Sequence, residues 1–321
     1  TPDHIRWIVR RAAKRGYGWP LAFMSSKPEG GINHKRYGVT SLGVLEFADA
    51  FLREAGIDPD RQEFTVKLTG GPAGDVAGNA LIQLFARYGD RAKVLAVSDG
   101  HGAAYDPAGL DAAELARLVA AETSITGFDP ARLSGPDAFV LSADTREGAK
   151  ARASLHNTVV ADLFIPAGGR PDTINDANWS AFCDETGRPS ARVVIEGANL
   201  FLTSGARRGL EAAGVLIAPG PSANKAGVIC SSYEILAGMA MTEEELAACH
   251  ARYVEEVLVI LGRKARNEAG LLLRERRRRG GTTGLVALSR EASLEITALK
   301  DALSEAMARQ AVALRPDRKE F

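Results

Sequence analysis

The strongest chemical spacing in the chain is Gly70-Gly71-Pro72-Ala73-Gly74-Asp75-Val76-Ala77-Gly78. It follows a β-rich run, Phe64 to Leu68, and precedes helical spacing through Leu81, Ile82, Leu84 and Phe85. Glycines let the backbone approach a phosphate, and the first-turn N–H groups of the following helix face negative charge, so the pattern suits a pyrophosphate. From Gly71 the spacing is G-x-x-G-x-x-x-G, not the usual G-x-G-x-x-G, and a glycine-rich turn is also ordinary turn chemistry. A P-loop is disfavoured, because no Lys-Ser/Thr pair follows the last glycine. Asp99 ends a second strand-like run, Lys93 to Val97, about 20 residues past Gly78, where an acid accepts hydrogen bonds from an adenosine ribose. A carboxylate there repels a 2′-phosphate, which favours NAD over NADP. The alternative, that Asp99 only caps the turn before Gly100 and Gly102, stays open.

Three more polar-glycine turns follow strand-like runs: Pro166-Ala167-Gly168-Gly169, Glu196-Gly197-Ala198-Asn199, and Ser222-Ala223-Asn224-Lys225-Ala226-Gly227. In a parallel sheet, turns at the carboxyl ends of strands face one ligand crevice. Their convergence weighs more than any single motif.

The elements that position these turns alternate. Strands are expected at Phe64–Leu68, Lys93–Val97, Ala138–Leu141, Leu163–Ile165, Val193–Ile195 and Val215–Ile217, with helices at Asp111–Ala120, Gly148–His156 and Ala206–Ala213. The expected fold class is α/β, a doubly wound, Rossmann-like parallel sheet. Asp3 to Lys14 carries a helical apolar face, Gly16 to Arg36 reads as a long loop, and Val39 to Ala55 resumes helical spacing. After about Lys225 strand signals end. Thr242 and Glu245 form a capping box that opens a long helix toward Glu268, and a further helix is expected within Leu288 to Leu314. The expected divisions are a linking helix and loop over 1–38, a dinucleotide-binding domain over 39–235, and a helical region over 236–321.

Composition excludes several classes. The chain has 321 residues, 40 basic against 40 acidic, so no charge excess points to nucleic acid or a membrane surface. No apolar run approaches the roughly 18 residues of a membrane span. Cys183, Cys230 and Cys249 form no CxxC pair and suit a reducing cytoplasm. His4, His34, His101, His156 and His250 show no metal-ligand spacing, so no metal is expected. The run Arg274 to Arg279 reads as a solvated helix end or a subunit contact. The opening residues, Thr1-Pro2-Asp3-His4, read as the middle of a gene.

Five motifs occur in order: GGINHKRYGVTS from Gly30, TGGPAGDVAGN from Thr69, PAGGRPDTIN from Pro166, IEGANLFLT from Ile195 and SANKAGVICSSYE from Ser222. Together they resemble the glutamate/leucine/phenylalanine/valine dehydrogenase superfamily, and most of all its large bacterial NAD-specific glutamate dehydrogenases. The resemblance implies that Gly71, Gly74, Asp75 and Val76 hold the pyrophosphate of NAD, with Asp99 on the adenosine ribose. It implies that Ala167 and Gly168 line the groove, and that Asn199 and Asn224 lie near the nicotinamide end. Thr40 falls where the family contacts the carboxamide, and Val228 and Ser231 fall where it binds L-glutamate or 2-oxoglutarate. The glycine turn carries one residue more than the hexameric enzymes' G-F-G-N-V-G, which leaves the register of contacts open by about one position. The family's catalytic lysine and aspartate lie upstream of this region, so no catalytic residue is expected in this chain. It would bind the dinucleotide and depend on its own N-terminal domain, in a homo-oligomer, for the reaction. A catalytically silent dinucleotide-binding or assembly module, and a dehydrogenase of another amino acid, are the alternatives.

Overall fold

The computed structural model describes residues 2–27 and 30–314. The N-terminal part holds α1 (Pro2–Lys14), the short α2 (His34–Tyr37) and α3 (Val39–Glu54). The sheet-forming part runs β1 (Phe64–Thr69), α4 (Asp75–Tyr88), β2 (Ala92–Ser98), β3 (Gly102–Tyr105), α5 (Ala112–Ala120), β4 (Phe139–Ser142), α6 (Arg146–Thr158), β5 (Ala161–Pro166), β6 (Ala191–Ile195), α7 (Ser204–Ala212) and β7 (Leu216–Ala218). Four helices close the described residues: α8 (Gly220–Ala223), α9 (Ala226–Ala240), α10 (Glu243–Arg278) and α11 (Leu285–Leu314).

The strands form one sheet in the order β4-β3-β2-β1-β5-β6-β7. β1 pairs in parallel with both β2 and β5, so the chain winds outward on one side of β1 and returns to the other. That reversal between β1 and β5 is the topological switch point, where an α/β sheet opens a crevice at its carboxyl edge. Strands buried on both faces read as continuous apolar runs, which is why β1, β5 and β6 were visible in the sequence. β3 was not. Its first three residues, Gly102-Ala103-Ala104, are small and weakly β-forming, and the strand Gly102–Tyr105 pairs antiparallel with β2 and β4. The expected wholly parallel sheet is therefore mixed, with β3 reversed.

Two other expectations are adjusted. The long loop before Arg36 ends in α2, whose N-cap Asn33 accepts a hydrogen bond from the Arg36 amide. The capping box Thr242–Glu245 is present, but α10 continues past Glu268 to Arg278. Its basic end matches the negative pole of the helix. Arg277 pairs with Glu54 of α3, and Arg279 bridges Glu275 to Glu291 of α11. Ala265, Ala269, Leu272, Leu285 and Leu288 share one buried cluster with Val66, Leu68 and Leu163. The C-terminal helices thus pack on the body of the sheet through a continuous core.

Candidate functional site: a crevice at the carboxyl edge of the sheet

The glycine turn leaves β1 at the switch point and is shaped by its neighbours. Gly71 takes φ +66°, and a Cβ there would lie 2.5 Å from the Asp99 Cβ. A side chain would have to displace the end of β2 while holding a left-handed backbone, so glycine is the fitting residue. On the other side a Cβ at Gly168 would lie 2.6 Å from the Gly70 Cα, which means that the turns after β1 and β5 touch backbone to backbone. The Gly70 amide donates to Ser98 O (2.8 Å), and Thr69 Oγ1 donates to Gly168 O (2.6 Å).

These contacts continue around the crevice. The Ala198 amide donates to Pro166 O (2.7 Å), and a methyl at Gly197 would sit 3.0 Å from Val76 Cγ1 and 3.2 Å from the Ala167 Cα. Asn224 Nδ2 donates to Asn199 Oδ1 (2.8 Å). Glu196, wholly buried, accepts both arms of Arg207 (2.7 and 2.6 Å) and the Gly220 amide (3.0 Å), so it ties the ends of β6 and β7 to α7. Bidentate pairing of this kind is strong and directional. Across the opening, Thr40 Oγ1 lies 3.2 Å from where a Cβ on Gly227 would be, next to Val228, which is 71% exposed. Ser231, one turn further along α9, donates to Gly227 O (3.0 Å) and can accept from Ser25 Oγ (2.9 Å). Contacts thus link Gly71 to Asp99, Gly70 to Gly168, Gly197 to Val76 and Ala167, Asn224 to Asn199, and Gly227 to Thr40, while Val228 and Ser231 follow Gly227 on α9.

Its chemistry fits an anionic, extended ligand. Gly74 is the N-cap of α4 and offers no side-chain acceptor to the first-turn amides, so these donors stay available at the positive pole of the helix. Asp75 is exposed at that end and brings a negative charge, so the backbone rather than its carboxylate suits a phosphate. Asp99 already holds two turns. Its Oδ1 accepts from the His101 and Gly102 amides (2.8 and 3.2 Å) and Ser124 Oγ (3.1 Å), and its Oδ2 from the Ile125 amide (2.8 Å). Asp99 therefore caps both turns, and Oδ2, with one donor, retains acceptor capacity. Lys35 instead pairs with Glu122 (2.8 Å) at the surface.

Residues 30–271 match the family model described as Glutamate/Leucine/Phenylalanine/Valine dehydrogenase. The chain belongs to this family. It is 38% identical over 291 residues to a probable NAD-specific glutamate dehydrogenase of Schizosaccharomyces pombe, which covers 84% of this chain and 26% of that protein. It is 33% identical over 329 residues to an NAD-specific glutamate dehydrogenase of Neurospora crassa, covering 94% of this chain and 30% of that protein. The chain therefore spans less than a third of the length of either relative. Among solved structures, a hetero-hexameric glutamate dehydrogenase from Thermus thermophilus shares the fold, with TM-score 0.59, 20% identity, and coverage of 88% of this chain and 57% of that one.

In this family member, sequence reasoning missed a second polar cluster behind Ser231. Glu234 lies on the buried side of α9, its side chain fully enclosed. It accepts from the Ser26 amide (2.9 Å), lies 3.2 Å from His34 Nε2, and has Lys27 Nζ at 3.7 Å. Burial pushes the Glu234 carboxyl upward, but hydrogen bonds from His34 and the Ser26 amide, with the Lys27 charge, outweigh it and leave it below its ordinary value. Burial pulls the Lys27 ammonium down against the attraction of Glu234. His250 meets Gly31 O at 2.8 Å. The loop before α2 is thus fastened to α9 and α10. The available signal was a lone Glu inside the apolar stretch Tyr233-Glu234-Ile235-Leu236.

Proposed function

We propose that the chain is the NAD-binding portion of a glutamate dehydrogenase of the large bacterial class. The observation that carries this reading is the meeting of four strand ends, β1, β2, β5 and β6, with the uncapped N-terminus of α4 at the switch point. NAD supplies the hydride acceptor for oxidative deamination of L-glutamate to 2-oxoglutarate and ammonia. The backbone at Gly71, Gly74, Asp75 and Val76 holds the pyrophosphate, and the spare acceptor site of Asp99 takes the adenosine ribose. Ala167 and Gly168 form the groove wall. Asn199 and Asn224, hydrogen-bonded to each other, orient the nicotinamide ribose, and Thr40 reads the carboxamide. Val228 and Ser231 receive the amino-acid side chain.

In this reading, residues 1–38 link to a substrate-binding domain, 39–235 bind NAD, and 236–321 brace that domain. The lysine and aspartate that move protons come from polypeptide outside these 321 residues, and the 321-residue chain alone has no turnover. The small share of each relative that the chain spans supports this division. A cytoplasmic homo-oligomer with no nucleic-acid or membrane partner completes the proposal. Among the described residues no helix is long and apolar enough to cross a membrane.

Calorimetric titration of the chain with NAD and with NADP tests the reading. NAD is expected to bind more tightly by at least ~10-fold, because a 2′-phosphate meets the Asp99 carboxylate. Equal affinities, or no heat from either ligand, overturn it.

A further inference from the structure

His34, Cys230 and Glu234 bring an imidazole nitrogen, a sulfur and a carboxylate oxygen within 4.8 Å of one another. Cys230 and Glu234 are one helical turn apart on the inner face of α9, and His34 comes from the start of α2. Both α9 side chains are buried, while His34 retains 18% exposure, which leaves a path from solvent.

Two further observations show spare hydrogen-bonding capacity in the cluster. Glu234 Oε2 is buried with the Lys27 charge 3.7 Å away and the Ile32 amide also acting on the carboxylate, yet it makes no hydrogen bond of normal geometry among the described residues. Lys27 Nζ is 3.7 Å from it, beyond hydrogen-bonding reach, and donates instead to Met24 O (2.9 Å). Tyr253 of α10 packs in the same buried cluster as Cys230, and its Oη is also buried without a partner. A cation placed among these groups takes the spare oxygen lone pair and displaces the Cys230 thiol proton on binding.

We propose that His34, Cys230 and Glu234 bind a soft divalent cation of the zinc type, with a water in the fourth position. Mixed sulfur, nitrogen and oxygen ligation is the preference of zinc, whereas magnesium and calcium take oxygen alone. Zinc bonds of about 2.0–2.3 Å place tetrahedral ligand atoms roughly 3.3–3.8 Å apart, so a closure of about 1–1.5 Å completes the set. The bound cation joins α2 to α9 directly behind Ser231, and the Cys230 proton leaves to solvent on binding. Lys27 stays on Met24 O and offsets part of the ligand charge. The site adjoins the Thr40–Gly227 edge of the crevice, where His34 Nδ1 lies 3.5 Å from the place of a Cβ on Gly227, but its three ligands are not residues assigned to the dinucleotide.

The test uses the whole 321-residue chain, stripped with a chelator and titrated with cobalt(II) and then zinc(II). One cobalt per chain is expected, with a near-ultraviolet thiolate-to-cobalt charge-transfer band that zinc abolishes. Cys230→Ser removes the band. His34→Ala and Glu234→Gln weaken zinc binding by more than the roughly 10–100-fold that loss of an outer-shell partner costs. Cys183→Ser and Cys249→Ser leave band and affinity unchanged. X-ray absorption of the zinc-loaded unaltered chain, which needs no variant to fold, should show one sulfur and one imidazole in the first shell. A sulfur-free shell, a band that survives Cys230→Ser, or a band that vanishes in Cys249→Ser overturns the proposal.

Discussion

β1 serves two polar regions of opposite character. At its carboxyl end the turn from Gly70 to Gly74 is almost all backbone, fitted against Asp99 and Gly168 and open at the uncapped start of α4. Along its length Lys67, fully buried, reaches back to the amino ends of β5 and β6. There Nζ donates to Val159 O (2.7 Å), Ser190 O (3.1 Å) and Ser190 Oγ (2.7 Å), and it lies 4.5 Å from the centre of the Phe182 ring. Burial holds the Lys67 ammonium well below its ordinary value. A perturbed lysine is often a mark of function. Here its three donor directions are all taken by neutral acceptors and aromatic faces close over it, so nothing is left for a ligand. The crevice shows the reverse pattern: few perturbed side chains and spare backbone donors. If the proposed function holds, unused hydrogen-bonding capacity marks the binding region here better than a displaced pKa does.

The largest expected effect tests the closed region. Lys67→Met takes the donor from two buried acceptors, Val159 O and Ser190 Oγ, while Ser190 O keeps the Ala161 amide; at about 1–1.5 kcal/mol each, chemical denaturation should report a loss of about 2–3 kcal/mol. NAD affinity of the folded protein should be unchanged. A gain in stability would mean that the buried charge costs more than its acceptors return, and the contrast would fail.

His156 gives a pH-dependent version of the same test. Burial, then the Lys67 charge, lowers its imidazole from 6.5 to about 4, and its ring stacks on Phe164 at 6.1 Å. Between those values the unfolded chain binds the proton and the folded chain does not. Stability from this group therefore falls as pH drops from 6.5, and levels off below about 4 after a loss of about 3 kcal/mol. His156→Phe should remove that part of the slope in melts taken across the window. An unaltered slope places the acid sensitivity elsewhere.

Gly71→Ala probes the open region. The left-handed backbone and the approach to Asp99 should cost about 1–3 kcal/mol of stability. NAD binding should weaken by more than ~10-fold, read by calorimetry, because the turn must move. Normal binding would show that this turn does not touch the ligand. The smallest effect is expected for Asp99→Asn, which keeps the shape of the carboxylate and removes its charge. NAD affinity should drop by about 5-fold, near 1 kcal/mol, while NADP gains relative to NAD. An unchanged ratio removes Asp99 from ribose recognition and leaves only its hold on the turns at 101–102 and 124–125.

Much of the crevice was legible because its parts are local. A β-rich run, a glycine turn and a helical period sit together at residues 64–85, and similar turns follow β5, β6 and β7. β3 was illegible because Gly102-Ala103-Ala104 has little strand preference; its place comes from pairing with β2 and β4. The Lys67 cage was hidden for another reason. Val159 and Ser190 are 92 and 123 residues away, and only parallel packing of three strands brings their carbonyls to one ammonium.

Short-range pattern alone determined the alternation of strands and helices, the glycine turns and the capping box at Thr242, because each depends on neighbours within a turn or two of chain. Tertiary structure alone decided that β3 is reversed, that Asp99 braces two turns, and that Lys67 is enclosed. It also decided that His34, which shows no metal-ligand spacing in the sequence, stands against Cys230 and Glu234. These are contacts between residues far apart in the chain, and hydrophobic packing of helices on a sheet sets their distances, which no local spacing encodes.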